Sequence, residues 1–304
     1  MNYRAGYVGI VGWPNSGKST FLNSIIKEKI SIVSDKPQTT RRRVIGIDNH
    51  EESQIVYLDA PGFVYRQDEL NKYLSYEADS VIQDSDILVV MLSIDTEKKE
   101  ELETIINKAV ESRKPWVAVI AKTDLLQFSS RIQKIKDILS ELKNPPAVVE
   151  YSQKEKGKHL ADLYAKVLHF LPASKKPFYD EELYTPHSVR EISAEMIREK
   201  CFQNLKMEVP YGVAVEIQKF TEEPGINKIS AIIVSGRESH KSIIIGKGGE
   251  MIKKIGTDAR KEIEDFTSKK CFLELHVKID ENWMNSKRKL KEFGYETKAE
   301  IEKK

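Results

Sequence analysis

At 304 residues the chain is long enough for two domains of ordinary size, each able to bury a core without disulfides or metal staples. Its 40% apolar and 32% charged residues exclude a disordered or fibrous chain, and no apolar run reaches the ~18 residues of a membrane span. A net charge of +2 is too small to indicate a nucleic-acid partner, and two cysteines, Cys201 and Cys271, cannot make a disulfide framework or a zinc site.

The chain opens with "MNYRAGYVGIVG", which lacks the long apolar stretch of a secretory signal. Together with reduced, buried thiols and no disulfide partner, this leads us to expect a cytoplasmic protein. From residue 7 to about 171, β-rich apolar runs alternate with helical patterns: "YVGIVG", "STFLNSIIK", "QIVYLDA", "DILVVMLSID", "ELETIINKAVE", "WVAVIA", "IQKIKDILSEL", "AVVEYS" and "LADLYAKVLHFL". That alternation predicts an α/β domain with a mostly parallel sheet covered by helices on both faces. "RRVIGIDNHEESQIVYLDA" reads as two strands joined by a polar turn, an antiparallel pair at one edge.

Residues 172–187, "PASKKPFYDEELYTPH", carry three prolines without periodicity and are expected to be an exposed linker. Beyond them come a helical stretch, two strand-like runs, a second helical stretch and a strand, "CFLELHVKI", which make a smaller α+β unit. The expected division is 1–172, a linker at 173–187, a second domain at 188–280 and a charged tail at 281–304. One short helix is expected in that tail, around Ser286 to Phe293.

Chemistry enters at "VGIVGWPNSGKST", where Gly12, Gly17, Lys18 and Ser19 have the spacing G-x-x-x-x-G-K-[ST] between a strand and a helix. Backbone N–H groups and the helix start can cradle phosphates there, Lys18 can bridge the β- and γ-phosphates, and Ser19 can bind Mg²⁺. Asp59 ends a strand and opens "DAPG", at the distance where P-loop proteins hold Mg²⁺ and sense the γ-phosphate. Between them, Thr39 and Thr40 precede three arginines, and a threonine hydroxyl could complete the Mg²⁺ shell. On that stretch alone a solvated basic loop is the lesser alternative.

The set "GWPNSGKS", "PQTTR", "DAPG", "KTD" and "YSQK" resembles the five motifs of the translation-factor-like GTPases, and "PQTTR" with "DAPG" is similar to the Era family within them. The resemblance implies that Thr40 rather than Thr39 joins Ser19 and Asp59 at the metal, and that Lys18, Thr40 and Gly62 are the catalytic groups. It implies GTP or GDP contacts from Gly12, Trp13, Pro14, Asn15, Ser16, Gly17, Lys18, Ser19 and Thr20. Further contacts are implied for Asp59, Ala60, Pro61, Gly62 and Phe63. The base-reading loops would use Ala121, Lys122, Thr123, Asp124, Ser152, Gln153 and Lys154. Asn15 is read in two ways, as a ligand to a K⁺ near the phosphates or as a residue that shapes the turn.

Two positions depart from the usual pattern. Phe63 follows "DAPG" where many GTPases place a glutamine, and it cannot orient water, which predicts a slow intrinsic rate. Ala121 stands before Lys122 where an asparagine usually contacts guanine N7 and ties the loop to the P-loop. Asp124 keeps the carboxylate for guanine N1 and N2, Lys122 can lie along the base, and Ser152–Lys154 can offer an N–H to the guanine carbonyl. Losing one neutral hydrogen bond costs ~0.5–1.5 kcal/mol, which predicts a weakened guanine site rather than a dead one.

In the second domain, "SIIIGKGGEMIKKIG" places Gly246, Lys247, Gly248 and Gly249 between helices, which by itself reads equally as an ordinary helix-loop-helix turn or as a G-x-x-G backbone clamp of the kind that holds single-stranded RNA. Ile245, Ile252 and Ile255 are candidates for an apolar floor under bases, and Lys253 adds charge beside Lys247. Residues 237–261 hold Arg237, Lys241, Lys247, Lys253, Lys254, Arg260 and Lys261 against Glu238, Glu250 and Asp258, a local basic patch. The order of elements is that of a type II KH fold, and the stretch is similar to the second domain of the same GTPase family. The resemblance implies a monomeric GTPase that binds the 3′ end of 16S ribosomal RNA, assists small (30S) subunit assembly and rRNA maturation, and associates in part with the inner membrane. Two other classes were weighed. A small-molecule kinase would need an arginine-rich lid, for which only Arg41 to Arg43 could serve. An RNA scaffold with a degenerate nucleotide site is the alternative that Phe63 and Ala121 allow.

Overall fold

Period-2 sorting of apolar side chains builds the first sheet. In β4 (Ile87–Ser93), Ile87, Val89 and Met91 join one buried cluster, while Leu88, Val90 and Leu92 join the cluster on the opposite face. The computed structural model, which describes residues 3–63 and 68–296, sets this strand in a six-stranded sheet. The other strands are β1 (Arg4–Gly12), β2 (Val44–His50), β3 (Ser53–Asp59), β5 (Trp116–Ala121) and β6 (Ala147–Tyr151), in the order β2-β3-β1-β4-β5-β6. Only β2 runs antiparallel, paired with β3 at the edge, as its polar turn predicts. Helices α1 (Lys18–Ile26) and α5 (Lys156–Phe170) cover one face through Phe21, Leu22, Ile25, Leu163 and Val167. The other face is covered by α2 (Glu69–Asp84), α3 (Lys99–Glu111) and α4 (Ser130–Ser140).

The chain order reverses around β1, which β3 and β4 flank. Such a switch point at the carboxyl ends of parallel strands is where open α/β sheets bind ligands. Helix α2 is absent from the sequence reading. Its buried positions Leu70, Leu74, Ala78 and Val81 have helical spacing, but nine polar residues within sixteen dilute the signal.

The proline-rich segment 172–187 is mostly exposed, as expected, yet it is hydrogen-bonded to the first domain. Ile47 N–H donates to the Tyr184 carbonyl at 2.9 Å, Thr185 Oγ1 donates to the Ile45 carbonyl at 2.7 Å, and Gln54 Oε1 accepts from Phe178 N and Tyr179 N. The strand edge needs partners for its backbone groups, and this aperiodic segment supplies them.

By contact the chain forms two units, and the first gathers Met1–Ser31, Thr40–Val64 and Leu74–Pro186. The second, Ile32–Thr39, Tyr65–Tyr73 and His187–Lys304, is built on α6 (Val189–Asn204), β7 (Val213–Glu223), β8 (Ile226–Ser235), α7 (Glu238–Ile245), α8 (Glu250–Thr267) and β9 (Lys270–Ile279). Ser188 and Glu191 form a capping box that starts α6. β7 pairs antiparallel with β8, and β9 pairs parallel with β8 over ten residues. Met196 and Ile197 of α6 pack with Ile255, Ala259 and Ile263 of α8 in one core. Within this unit, Glu199 and Arg198 are buried with uses for their charge: Glu199 Oε1 accepts from Val33 N at 2.7 Å, and Arg198 donates to the Thr39 carbonyl at 2.5 Å.

Residues 281–296 are packed rather than loose. Trp283 is fully buried, donates from Nε1 to the Gly212 carbonyl at 3.1 Å, and meets Phe293 edge-on. The expected short helix is α9 (Lys287–Glu292), and residues 297–304 of the expected tail lie outside the described residues. Cys201 and Cys271 are free and buried, and burial pushes their thiols up to about 12 and about 11.

Candidate functional site

In the first unit, β1 ends at Gly12, and the loop from Trp13 to Gly17 delivers the chain to α1. The loop packs too closely to β3's exit for any side chain at Gly62, since a Cβ there would stand 2.8–2.9 Å from Pro14. "DAPG" and the P-loop are thus held backbone against ring. Lys18 is buried, and its ammonium donates to the carbonyls of Gly12 at 3.0 Å and Trp13 at 2.9 Å. Burial lowers its pKa to about 8, against the opposing pull of Asp59.

The three residues expected at the metal converge. Ser19 Oγ lies 2.8 Å from Thr40 Oγ1 and donates to Asp59 Oδ2 at 2.7 Å, and Ser31 Oγ donates to the same carboxylate oxygen at 3.2 Å. Thr39 instead turns away, its Oγ1 donating to the Lys36 carbonyl. Burial raises the Asp59 carboxyl to about 6, and its Oδ1 is buried with no hydrogen-bond partner. One carboxylate and two hydroxyls fit Mg²⁺, which takes few protein ligands and fills its octahedron with phosphate oxygens and water. No cluster of three His, Cys, Asp or Glu side chains occurs among the described residues, so no rival all-protein metal cage is present.

At the loop expected to read the base, Lys122 takes a left-handed φ of 63° and pairs with Asp95 at 2.6 Å, which fixes its stem. Asp124 receives Ser152 Oγ at 3.2 Å and Lys154 Nζ at 3.2 Å. Desolvation pushes its carboxyl up, but the bonds from Lys154, its own backbone and Ser152 outweigh it and hold the group below the usual range. Thr123 N–H donates to the Tyr151 carbonyl at 3.3 Å, and Gln153 stands exposed beside Lys154.

At two of the positions expected to contact the nucleotide, the side chain is buried in the core. Phe63 is 5% exposed, its ring in the apolar cluster under α2 and α3 with the Lys108 ammonium 4.5 Å from its centroid. Ala121 is 1% exposed and its methyl belongs to the core. The arginines after Thr40 are likewise structural. Arg41 is buried, and Arg43 donates to Asp84 at 2.7 Å and to Ser80 at 2.6 Å, which removes both the solvated-loop reading and the kinase lid.

In the second unit, α7 ends at Gly246 and α8 starts after Gly249. Gly248 has φ 60° and open space where a Cβ would project, so the loop presents bare backbone outward. Lys247 and Lys253 are exposed. Beside them, α8 and β9 enclose a groove of about 430 Å³ lined by Ile252, Lys253, Arg260, Phe272, Leu273 and Leu275. Phe272, 59% exposed, offers an aromatic face, which is the common means of holding an unstacked base. The apolar floor is therefore only partly as expected. Ile252 lines the groove, Ile245 is half-buried at the end of α7, and Ile255, about 60° further round α8, is fully buried in the core that α6 shares. Phe272, Leu273 and Leu275 were missed, and Arg260 was read only as part of the basic patch. The alternation in "CFLELHVKI" marks a strand, and an exposed phenylalanine on it was the available signal.

These two sites bear directly on what the chain is similar to. A family model described as a 50S ribosome-binding GTPase matches residues 7–122, and a KH domain model matches residues 208–284. GTPase Era of Geotalea daltonii is 41% identical over 297 residues, covering 97% of this chain and 99% of that protein. The chain belongs to the GTPase Era family. GTPase Era of Ruminiclostridium cellulolyticum is 38% identical over 299 residues, with 98% and 99% coverage. Two solved Era structures match over 97% of this chain and the whole of theirs. One, in complex with MgGDPNP and nucleotides 1506–1542 of 16S ribosomal RNA, is 32% identical with a TM-score of 0.90. The other, an Aquifex aeolicus Era variant bound to GDP and AlF4-, is 33% identical with a TM-score of 0.88. The enzyme is accordingly a GTPase of the Era family, with a P-loop domain and a C-terminal KH domain.

Proposed function

We propose that this Era-family GTPase is a magnesium-dependent switch that binds single-stranded RNA at the 3′ end of 16S ribosomal RNA and serves assembly of the small ribosomal subunit. The observation that carries the reading is a full-length relative of the same fold that holds both a magnesium guanine nucleotide and that RNA. The matched family model is named for the large subunit but spans only residues 7–122, whereas the relative spans the whole chain, so we favour 16S RNA as the partner.

Ser19, Thr40 and Asp59 would hold Mg²⁺, which supplies charge neutralisation between the β- and γ-phosphates. Lys18 moves from the carbonyls of Gly12 and Trp13 to the phosphate oxygens, and the buried setting strengthens its field there. Gly62 offers its N–H to the γ-phosphate. With the Phe63 ring turned into the core, no side chain at that position orients water, so hydrolysis depends on positioning and charge and is slow. Asn15, at a left-handed φ of 63° in the P-loop, shapes the turn and is the candidate K⁺ ligand. On the RNA side, the Gly246–Gly249 backbone clamps the ribose-phosphate chain, Lys247, Lys253 and Arg260 neutralise phosphates, and Phe272 stacks on a base.

The test is crosslinking of the full chain to cellular RNA in its GTP-loaded and GDP-loaded states, followed by sequencing of the retained RNA. Enrichment of the 16S 3′ end supports the reading. Enrichment of 23S segments, or of no ribosomal segment, contradicts it.

A further inference from the structure

The residue usually responsible for tying the base-reading loop to the P-loop is missing at Ala121, yet the two regions are joined by another route. Ala121 ends β5, and its register partner on β6 is Tyr151. The Ala121 methyl and the Tyr151 ring share one buried cluster with Phe21 of α1. Tyr151 meets Phe21 edge to face, with centroids 4.8 Å apart and planes at 84°. Its hydroxyl donates to Ser24 Oγ at 2.9 Å, and Ser24 Oγ in turn donates to the Thr20 carbonyl at 2.8 Å. Phe21 and Ser24 are three apart on α1, so both contacts fall on one face of the helix whose first turn carries Lys18 and Ser19.

The other side of Tyr151 belongs to guanine recognition. Its carbonyl accepts from Thr123 N–H at 3.3 Å, and the next residue, Ser152, donates to the Asp124 carboxylate at 3.2 Å. A continuous path therefore runs from α1 through the Tyr151 hydroxyl, ring and backbone to the carboxylate that reads the base. A residue serving only to fill the core here would need no hydroxyl. Tyr151 and Ser24 are 4% and 9% exposed, and the structure supplies each with a polar partner inside the core.

We propose that Tyr151 is the positioning residue that holds the guanine-reading loops to the phosphate-binding helix, through Ser24 and Phe21, in place of the side chain absent at Ala121. The inference rests on the guanine-site assignment above. It predicts that the hydroxyl acts on nucleotide retention and base discrimination.

Tyr151→Phe removes the hydroxyl and keeps the ring, and Ser24→Ala removes its partner. The measurement is the dissociation rate and affinity of GDP and IDP from the full-length protein with Mg²⁺, followed by displacement of a fluorescent guanine nucleotide. IDP lacks the 2-amino group, so it draws on Asp124 less than GDP does. Each single variant is expected to release GDP about three- to tenfold faster, as for one buried hydrogen bond. The double variant should add little to either single one, and GDP should weaken more than IDP. A GDP release rate unchanged in Tyr151→Phe overturns the proposal. So does equal weakening of GDP and IDP alongside a lowered melting temperature, because that is the signature of packing alone. Absence of GDP binding by the unsubstituted protein would instead overturn the guanine-site assignment.

Discussion

The candidate phosphate site and the groove proposed for RNA are built on opposite plans. At the phosphate site, the Gly62 backbone sits where a Cβ would come within 3 Å of Pro14, Lys18 is buried, and three small polar groups meet within 2.8 Å. At the groove, Gly248 faces open space, the lysines are exposed, and Phe272 is 59% exposed. The first plan suits a small, highly charged ligand whose charge must be met by fixed dipoles in a dry place. The second suits a long, flexible polymer held by many weak contacts. Loss of one group should therefore be severe at the first site and graded at the second.

The largest expected effect is at Ser19. Ser19→Ala removes the hydroxyl that joins Thr40 to Asp59, and steady-state phosphate release should fall by about 100-fold or more, a fall that added Mg²⁺ only partly restores. A fall of less than tenfold would place the groove and the phosphate site on the same footing. Next, Gly248→Asp sets a negative charge at the open turn. Affinity for a single-stranded 16S 3′-end oligonucleotide should drop roughly tenfold or more while GDP affinity stays the same, as read by fluorescence anisotropy.

Phe272→Ala is expected to cost about 1–3 kcal/mol of RNA affinity, the range for one lost base stack, and to leave phosphate release without RNA unchanged. Equal binding would remove Phe272 from the groove's function. The smallest effect belongs to Lys253→Ala. RNA affinity should fall modestly, and the slope of log affinity against log salt should become shallower by about one, the mark of a single phosphate contact.

The same contrast explains what could be read from the chain. The P-loop, "DAPG" and "KTD" could be read as GTPase motifs because such motifs depend on backbone path and on residues at fixed spacing within short segments. The succession of strands and helices along the chain followed from apolar periodicity, and the type II KH reading from that succession together with the family resemblance. The groove was legible only at its glycine loop, since its other wall, Phe272 to Leu275, is about twenty residues away in sequence and is brought alongside by β9 pairing with β8. Ile255 was misread for a related reason. Ile252 and Ile255 differ by three on α8, yet Ile252 borders the groove while Ile255 reaches the α6 side of the core, and only packing decides between them. Phe63 and Ala121 were recognised as departures, but the inward turn of the Phe63 ring and the Tyr151–Ser24 bond required side-chain positions. Helix α2 was lost to its polar composition, and segment 172–187 paired with a strand edge without any periodic pattern of its own.

The central claim is that a functional GTP site survives with Phe63 and Ala121 in place. Steady-state phosphate release from GTP by the full chain, with Mg²⁺ and K⁺ and with or without the 16S 3′-end oligonucleotide, tests it most directly. The account predicts slow release that requires Mg²⁺, rises with the oligonucleotide and vanishes in Lys18→Ala. Release absent under every condition, or equal in Lys18→Ala, would contradict it and leave an RNA-binding scaffold with a degenerate nucleotide site.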